Sequence, residues 1–175
     1  SCDIYFYKTI KYYDFDKLSS FYKMFGFGKP TGVDIRGESH GVVPTTDYMN
    51  KRYGRSGWSK GSLLNYCIGQ GELLVTPMQV FNYTNILATK GNTHKPHFVK
   101  NKVLVQIDTI KISNDIWEKI IFDMGKVITD EKGTGKGAAP LNTNAKVFGK
   151  TGTAENPHGE DHAWFIGWMK YYEKN

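Results

Sequence analysis

Ala145-Lys146-Val147-Phe148-Gly149-Lys150-Thr151-Gly152-Thr153, followed after a loop by Ala163-Trp164-Phe165-Ile166-Gly167-Trp168-Met169, is the stretch on which the fold turns. Both runs have the composition of strands. Asn156-Pro157-His158-Gly159 between them is turn chemistry, so the two are expected to form a hairpin. Upstream, helical patterns dominate. Helices first and a hairpin last predict an α+β fold, an antiparallel sheet flanked by helices. The second run is almost continuously apolar, which predicts that Trp164, Phe165, Ile166 and Trp168 are covered by helices on both faces of the sheet.

Working outward, Ser113 is placed to cap a helix over about 114–128, with Ile116, Trp117, Ile120, Ile121, Met124 and Val127 on one face. Thr76-Pro77-Met78-Gln79 is a sharper signal. Thr76 and Gln79 have the spacing of a capping box, and Pro77 suits the first helical position. Val80, Phe81, Tyr83, Thr84 and Leu87 follow at helical spacing, and Gly91 ends the run. From Ser1 to about Phe25 two helices are expected. Asp14 caps the second, Leu18, Phe21, Tyr22 and Phe25 form its stripe, and Gly26 closes it. Residues 36–60 read as a polar surface excursion anchored by Val42, Val43, Tyr48, Tyr53 and Trp58. The expected organisation is one partial domain over 1–175. It comprises a helical part over 1–97 that contains the excursion, a helix with connecting segments over 98–145, and a hairpin over 146–175.

With 39% hydrophobic and 23% charged residues the chain is not disordered by composition. Its formal charge of +6 suits an anionic partner, but no basic block is dense enough to choose one. The best, Lys51-Arg52-Tyr53-Gly54-Arg55 with Lys60, is interrupted by glycine and serine and reads as a solvated loop. Charge alone does not make a nucleic-acid interface, and none is expected. Cys2 and Cys67 are too few for a disulfide framework and are expected to be buried free thiols. No apolar run approaches the roughly 18 residues that span a bilayer. The chain opens without Met, on a residue of a recognisable motif, which reads as an internal start.

The chemistry centres on Lys150-Thr151-Gly152. A strand edge offers backbone N–H and C=O groups to a peptide laid alongside it. Hydroxyls of Thr151 and Thr153 can grip a terminal carboxylate, and the Lys150 ammonium brings positive charge to the point where carboxylate and transferring proton meet. Gly152 lets a substrate approach the backbone closely. A purely structural account would make Lys150 an exposed strand lysine and Gly152 a bulge. His162, at the start of the second strand, either shapes the cleft or pairs with Asp161 or a loop carbonyl. A metal site from His158, Glu160, Asp161 and His162 is not expected, because adjacent strand residues point to opposite faces. No cofactor is implied.

Lys-Thr-Gly belongs to the signature of penicillin-binding proteins and serine β-lactamases. Around it the chain resembles the class B penicillin-binding proteins. The landmarks fall in order: Ser1-Cys2-Asp3, Pro30-Thr31-Gly32-Val33-Asp34, Ile68-Gly69-Gln70-Gly71, Leu74-Val75-Thr76-Pro77-Met78-Gln79, Gly149-Lys150-Thr151-Gly152-Thr153-Ala154-Glu155 and Asp161-His162-Ala163-Trp164-Phe165. Asp3, where division-type members usually show Asn, is similar to the elongation type, penicillin-binding protein 2. That resemblance implies a peptidoglycan D,D-transpeptidase. It would cross-link stem peptides through a serine acyl-enzyme and be acylated by β-lactam antibiotics. It further implies Ser1 as a proton relay, Asp3 as an orienting group, and Lys150 as assisting proton transfer through Ser1. Thr151 and Thr153 would bind the substrate carboxylate, with the Thr153 N–H as an oxyanion donor. A periplasmic domain on one inner-membrane helix, working with the scaffold protein MreC and a membrane glycosyltransferase, is implied as well.

The family's Ser-x-x-Lys pair is expected upstream of Ser1. No Ser in these residues is followed three positions later by Lys in a fitting place, and Ser56 precedes Lys60 at the wrong interval. The sheet is expected to need further strands and a C-terminal helix, so the 175 residues are expected to be incomplete and inactive alone. Two alternatives share some of these features: a serine β-lactamase or β-lactam sensor, and a non-catalytic cell-envelope binding module. The long excursion over 36–60 and Gly69-Gln70-Gly71 favour the transpeptidase over the first, and the retention of Ser1, Lys150 and Thr151 disfavours the second.

Overall fold

The computed structural model describes residues 2–59, 61–100, 103–107, 110–141, 144–156 and 158–173. Their helices are α1 (Asp3–Thr9), α2 (Phe15–Met24), α3 (Thr46–Tyr53), α4 (Gly61–Cys67), α5 (Pro77–Ala88) and α6 (Asn114–Thr129). Strands β1 (Ala145–Ala154) and β2 (His162–Tyr171) pair antiparallel, as the hairpin reading requires. The chain divides into two compact units, Ser1–Gln79 with Pro96–Asn101, and Val80–Lys95 with Lys102–Asn175.

The core of the first unit is Ile10, Phe15, Met49, Leu63 and Tyr66. The Tyr66 ring stacks between Phe15 and Tyr22, with centroids 4.7 and 5.0 Å away. Its hydroxyl donates to Ser19 Oγ at 3.1 Å and to the Pro44 carbonyl at 3.3 Å, so the ring is buried without orphaning its polar tip. Burial pushes the Tyr66 phenol up to about 12. On α2 the Asp14 carboxylate accepts the Lys17 N–H at 2.6 Å, and Gly26 takes φ 91°, as the capping signals predicted. The buried face differs from the expected stripe. Phe21 is exposed, whereas Ser19 is buried because its hydroxyl serves Phe15, Pro44 and Tyr66.

The excursion is more ordered than its polarity suggested. Thr45 caps α3 by accepting the Tyr48 N–H at 3.2 Å, and Asp16 accepts the Thr46 N–H at 2.8 Å. This helix sends Met49 into the core, and Asn50 accepts the Trp58 indole N–H at 2.9 Å. Glu72 accepts the Tyr48 and Tyr53 hydroxyls and pairs with Arg52 at 3.2 Å. Near the start of the excursion, Glu38 reaches back to the preceding turn and accepts from the Thr31 hydroxyl and from the Thr31 and Gly32 amides. Burial pushes this carboxyl up, but those bonds outweigh it and hold it below its ordinary value. Neither cysteine is fully buried, contrary to the sequence expectation. Cys2 is exposed, and the half-buried Cys67 thiol donates to the Leu64 carbonyl at 3.0 Å.

Gln79 ties this unit together. Its side-chain oxygen accepts the Thr76 N–H at 2.9 Å, and its own N–H donates to Thr76 Oγ1 at 3.1 Å, which completes the capping box. The remaining amide protons go to the carbonyls of Lys29 and His40, each at 2.8 Å. One residue, 1% exposed, thus joins the start of α5, the turn after α2 and the entry to the excursion.

In the second unit α6 buries Trp117, Ile121, Met124 and Ile128, a face rotated slightly from the expected one, with Ile116 exposed. Ser113 makes no side-chain cap bond. The helix packs on β1, where a Cβ on Gly125 would lie 3.4 Å from the Phe148 ring. Phe148 in turn stacks on its cross-strand partner Trp168 at 5.3 Å. The expectation that β2 is covered on both faces does not hold for the described residues. Trp164 is 39% and Phe165 44% exposed, and α6 covers one face of a ribbon that has two. At 44% exposure, truncation of Phe165 is expected to cost less than the roughly 3–5 kcal/mol of a fully buried Phe.

Gln79→Ala is expected to lower the free energy of unfolding by about 1–3 kcal/mol, because the side-chain hydrogen bonds of a buried amide to Lys29, His40 and Thr76 are lost. Gln79→Glu keeps the acceptor for Thr76 but loses both donors, and should cost at least as much. Urea titration followed by tryptophan fluorescence reads both variants. A stability unchanged in either would show that this amide is not the tie.

Candidate active site

The ten pairs from Ala145↔Tyr171 to Ala154↔His162 run without interruption, so Gly152, paired with Trp164, is not a bulge. Strand alternation puts Thr151 and Thr153 on one face with Phe165 and Ala163, and Lys150 and Gly152 on the other with Ile166 and Trp164. The backbone alternates as well. Just beyond the strands the Tyr172 N–H donates to the Asn144 carbonyl at 2.8 Å, which marks 144 and 172 as a hydrogen-bonded pair. Counting in twos, Lys150 and Gly152 turn their backbone groups toward β2, whereas Thr151 and Thr153 turn theirs to the opposite edge. Among the described residues no third strand pairs along that edge. The Lys150 ammonium folds onto it, donating to the Thr151 carbonyl at 2.6 Å.

The glycines of this strand serve different purposes. A Cβ on Gly149 would meet the Phe165 ring at 2.4 Å and the Ile166 carbonyl at 2.9 Å, so Gly149 is there for packing. A Cβ on Gly152 would meet only the Cβ of Trp164, at an ordinary 3.7 Å. Nothing described in the fold requires glycine at 152. Its absent side chain leaves open the approach to the strand.

One residue that the sequence reading missed sits at this site. Thr134, in the loop between α6 and β1, places its hydroxyl 2.7 Å from that of Thr151. The signal was present in Gly133-Thr134-Gly135, a threonine between two glycines, but no periodicity marks such a residue. At the end of the hairpin Asp161 accepts the Asn156 N–H at 3.1 Å, so this carboxylate closes the loop. His162 pairs across from Ala154. Among the described residues no three His, Cys, Asp or Glu side chains converge as a metal site.

Asp3 opens α1 in the first unit, where a carboxylate meets the positive end of a helix. Ser1, the expected relay, lies outside the described residues. Ser20 and Lys23 do have the Ser-x-x-Lys interval, but on α2 the exposed Ser20 hydroxyl donates to the Lys17 carbonyl at 2.7 Å within its own helix.

The sequence profile of the penicillin binding protein transpeptidase domain matches residues 1–175. The chain belongs to this family. The peptidoglycan D,D-transpeptidase MrdA of Haemophilus influenzae is 35% identical to it, over 98% of this chain and 30% of the relative. For the MrdA of Acinetobacter baumannii the figures are 36%, 89% and 24%. Among solved structures, the penicillin-binding protein PBP2 from Helicobacter pylori aligns with a TM-score of 0.83 at 33% identity, covering 94% of this chain and 31% of that one. The Pseudomonas aeruginosa PBP2 in complex with WCK 5153 aligns with a TM-score of 0.79 at 30% identity, over 95% and 38%. The chain thus spans at most about a third of the curated relatives it matches. The family, the likeness to penicillin-binding protein 2 and the α+β penicillin-binding fold agree with the sequence reading.

Gly149→Ala is expected to lower stability by about 1–3 kcal/mol, the usual cost of overpacking. Gly152→Ala should stay within roughly 0.5 kcal/mol of the parent. Thermal unfolding of the two variants side by side checks the contrast, and equal losses would show that both glycines serve packing.

Proposed function

We propose that the polypeptide carrying this chain is a D,D-transpeptidase that cross-links peptidoglycan stem peptides through a serine acyl-enzyme, and that β-lactams acylate the same serine. The observation that carries this reading is the outer edge of β1. Edge-facing backbone groups at Thr151 and Thr153, two hydroxyls on one face, an ammonium at 2.6 Å from the edge carbonyl and an open glycine suit an extended peptide with a terminal carboxylate. The peptide adds to the strand edge, its carboxylate taking the hydroxyls of Thr151 and Thr153. The attacked carbonyl oxygen takes the Thr153 N–H as its charge develops. The nucleophilic serine comes from a Ser-x-x-Lys segment outside these residues. Its oxygen bonds to the donor carbonyl carbon, the amide breaks, and the terminal residue leaves with a proton. The acceptor amine then displaces the serine. Ser1 relays the proton, Lys150 supports the relay electrostatically, and Asp3 orders the neighbouring groups.

The setting belongs to the same proposal: a periplasmic domain held by one inner-membrane helix, serving cell elongation and shape with MreC and a membrane glycosyltransferase. No helix among the described residues is long and apolar enough to cross a membrane. The 175 residues alone are proposed to be inactive, because the acyl-accepting serine and its lysine are not among them.

Lys150→Ala in the full-length polypeptide is expected to slow acylation by a fluorescent penicillin about 100-fold or more, the scale of losing one electrostatic group at a reacting centre. Thermal stability should be unchanged, since Lys150 is exposed. An acylation rate within a few-fold of the parent would sink the assignment. Intact mass of the 175-residue chain after incubation with the drug should show no adduct, and an adduct mapping to Ser1 or Ser20 would show the nucleophile misplaced.

A further inference from the structure

We propose that Thr134 is a positioning residue for recognition of the substrate carboxylate, acting through Thr151. This rests on the reading of Thr151 given above. Each threonine hydroxyl carries one proton and can accept from others. At 2.7 Å apart, the Thr134 and Thr151 oxygens share a hydrogen bond in which either can donate. Once a carboxylate sits on Thr151, the Thr151 proton is committed to it, and Thr134 must be the donor. The bond then has two effects. It holds the Thr151 hydroxyl in one rotamer of the several open to a threonine. It also polarises that hydroxyl, since a hydroxyl that accepts a hydrogen bond donates a stronger one.

The loop that presents Thr134 is fixed from both sides. Its chain turns back on the end of α6, where the Lys132 N–H donates to Asp130 Oδ1 at 3.0 Å and the Gly133 N–H to the Asp130 carbonyl at 2.9 Å. The Gly135 N–H donates to the Val127 carbonyl at 3.0 Å. Both glycines lie against the helix with no room for a side chain. A Cβ on Gly133 would fall 2.4 Å from the Val127 carbonyl, and one on Gly135 would fall 2.9 Å from Ile128 Cδ1. Thr134, between them, is exposed and turned to β1. Because α6 rests on β1 through Gly125 and Phe148, helix, loop and strand set the distance between the two hydroxyls together.

The test uses the full-length polypeptide and the acylation kinetics of a penicillin with a free carboxylate. Thr134→Val should lower the second-order acylation constant about three- to tenfold, through weaker initial binding rather than a slower limiting rate. Thr134→Ser should restore it to within about twofold. In a Thr151→Ala background Thr134→Val should have no further effect. Acylation by the methyl ester of the same penicillin should not respond to Thr134→Val. Should Val disturb folding, Thr134→Ala is read in the same way. A Thr134→Val rate equal to the parent's, a Ser variant that fails to rescue, or a loss that persists in the Thr151→Ala background overturns the proposal. Thr151→Ala with unchanged acylation would overturn the reading of Thr151 itself, whereas a slowed Thr151→Ala beside an unaffected Thr134→Val would overturn only the role of Thr134.

Discussion

The pairing of Ala145–Ala154 with His162–Tyr171 over ten consecutive residues is the constraint from which the site follows. A side-chain period of two means that a slip by one residue would exchange the faces of Lys150 and Thr151 and turn the edge-facing amides inward. The Gly149↔Gly167 pair helps to hold that register. A Cβ on Gly149 would strike the Phe165 ring, and one on Gly167 would strike the Phe148 carbonyl at 2.5 Å. Phe148 and Trp168, stacked one pair further along, hold the opposite face beneath α6. The residues that lock the strands therefore sit next to those that carry the chemistry.

Much of this was legible in the sequence, for reasons that can be named. The hairpin, α5 and α6 announced themselves through strand composition, a reciprocal capping box and helical apolar spacing, which are local signals. What escaped notice depended on partners far along the chain. Ser19 is buried because Tyr66 and Pro44 need its hydroxyl, so the apolar stripe on α2 was assigned one side too far round. Helix α3 has too few apolar residues to show a stripe, and it forms because Thr45 and Asp16 take its first amides while Met49 enters the core and Tyr48 packs against it. The apolar run of β2 indicated burial correctly only for Ile166 and Trp168, which are partly covered.

At the site the tripeptide Lys150-Thr151-Gly152 was readable because its chemistry is tied to residue type. Thr134 was not, because its place depends on how a glycine-flanked loop folds back on a helix end. The distinct purposes of Gly149 and Gly152 were hidden for a related reason. In sequence both are glycines on one strand, and only the neighbours of the missing Cβ separate them.

The order of elements around β1 has a kinetic consequence. Helix α6, the loop bearing Thr134, β1 and β2 follow one another directly along the chain. Their mutual contacts therefore close only short segments, and hairpins of this kind form on the order of microseconds. This part of the fold can organise from nearby parts of the chain before distant segments arrive. A nascent polypeptide would then present the Lys150 strand as a preformed template, and later-made contacts would have a fixed surface on which to settle.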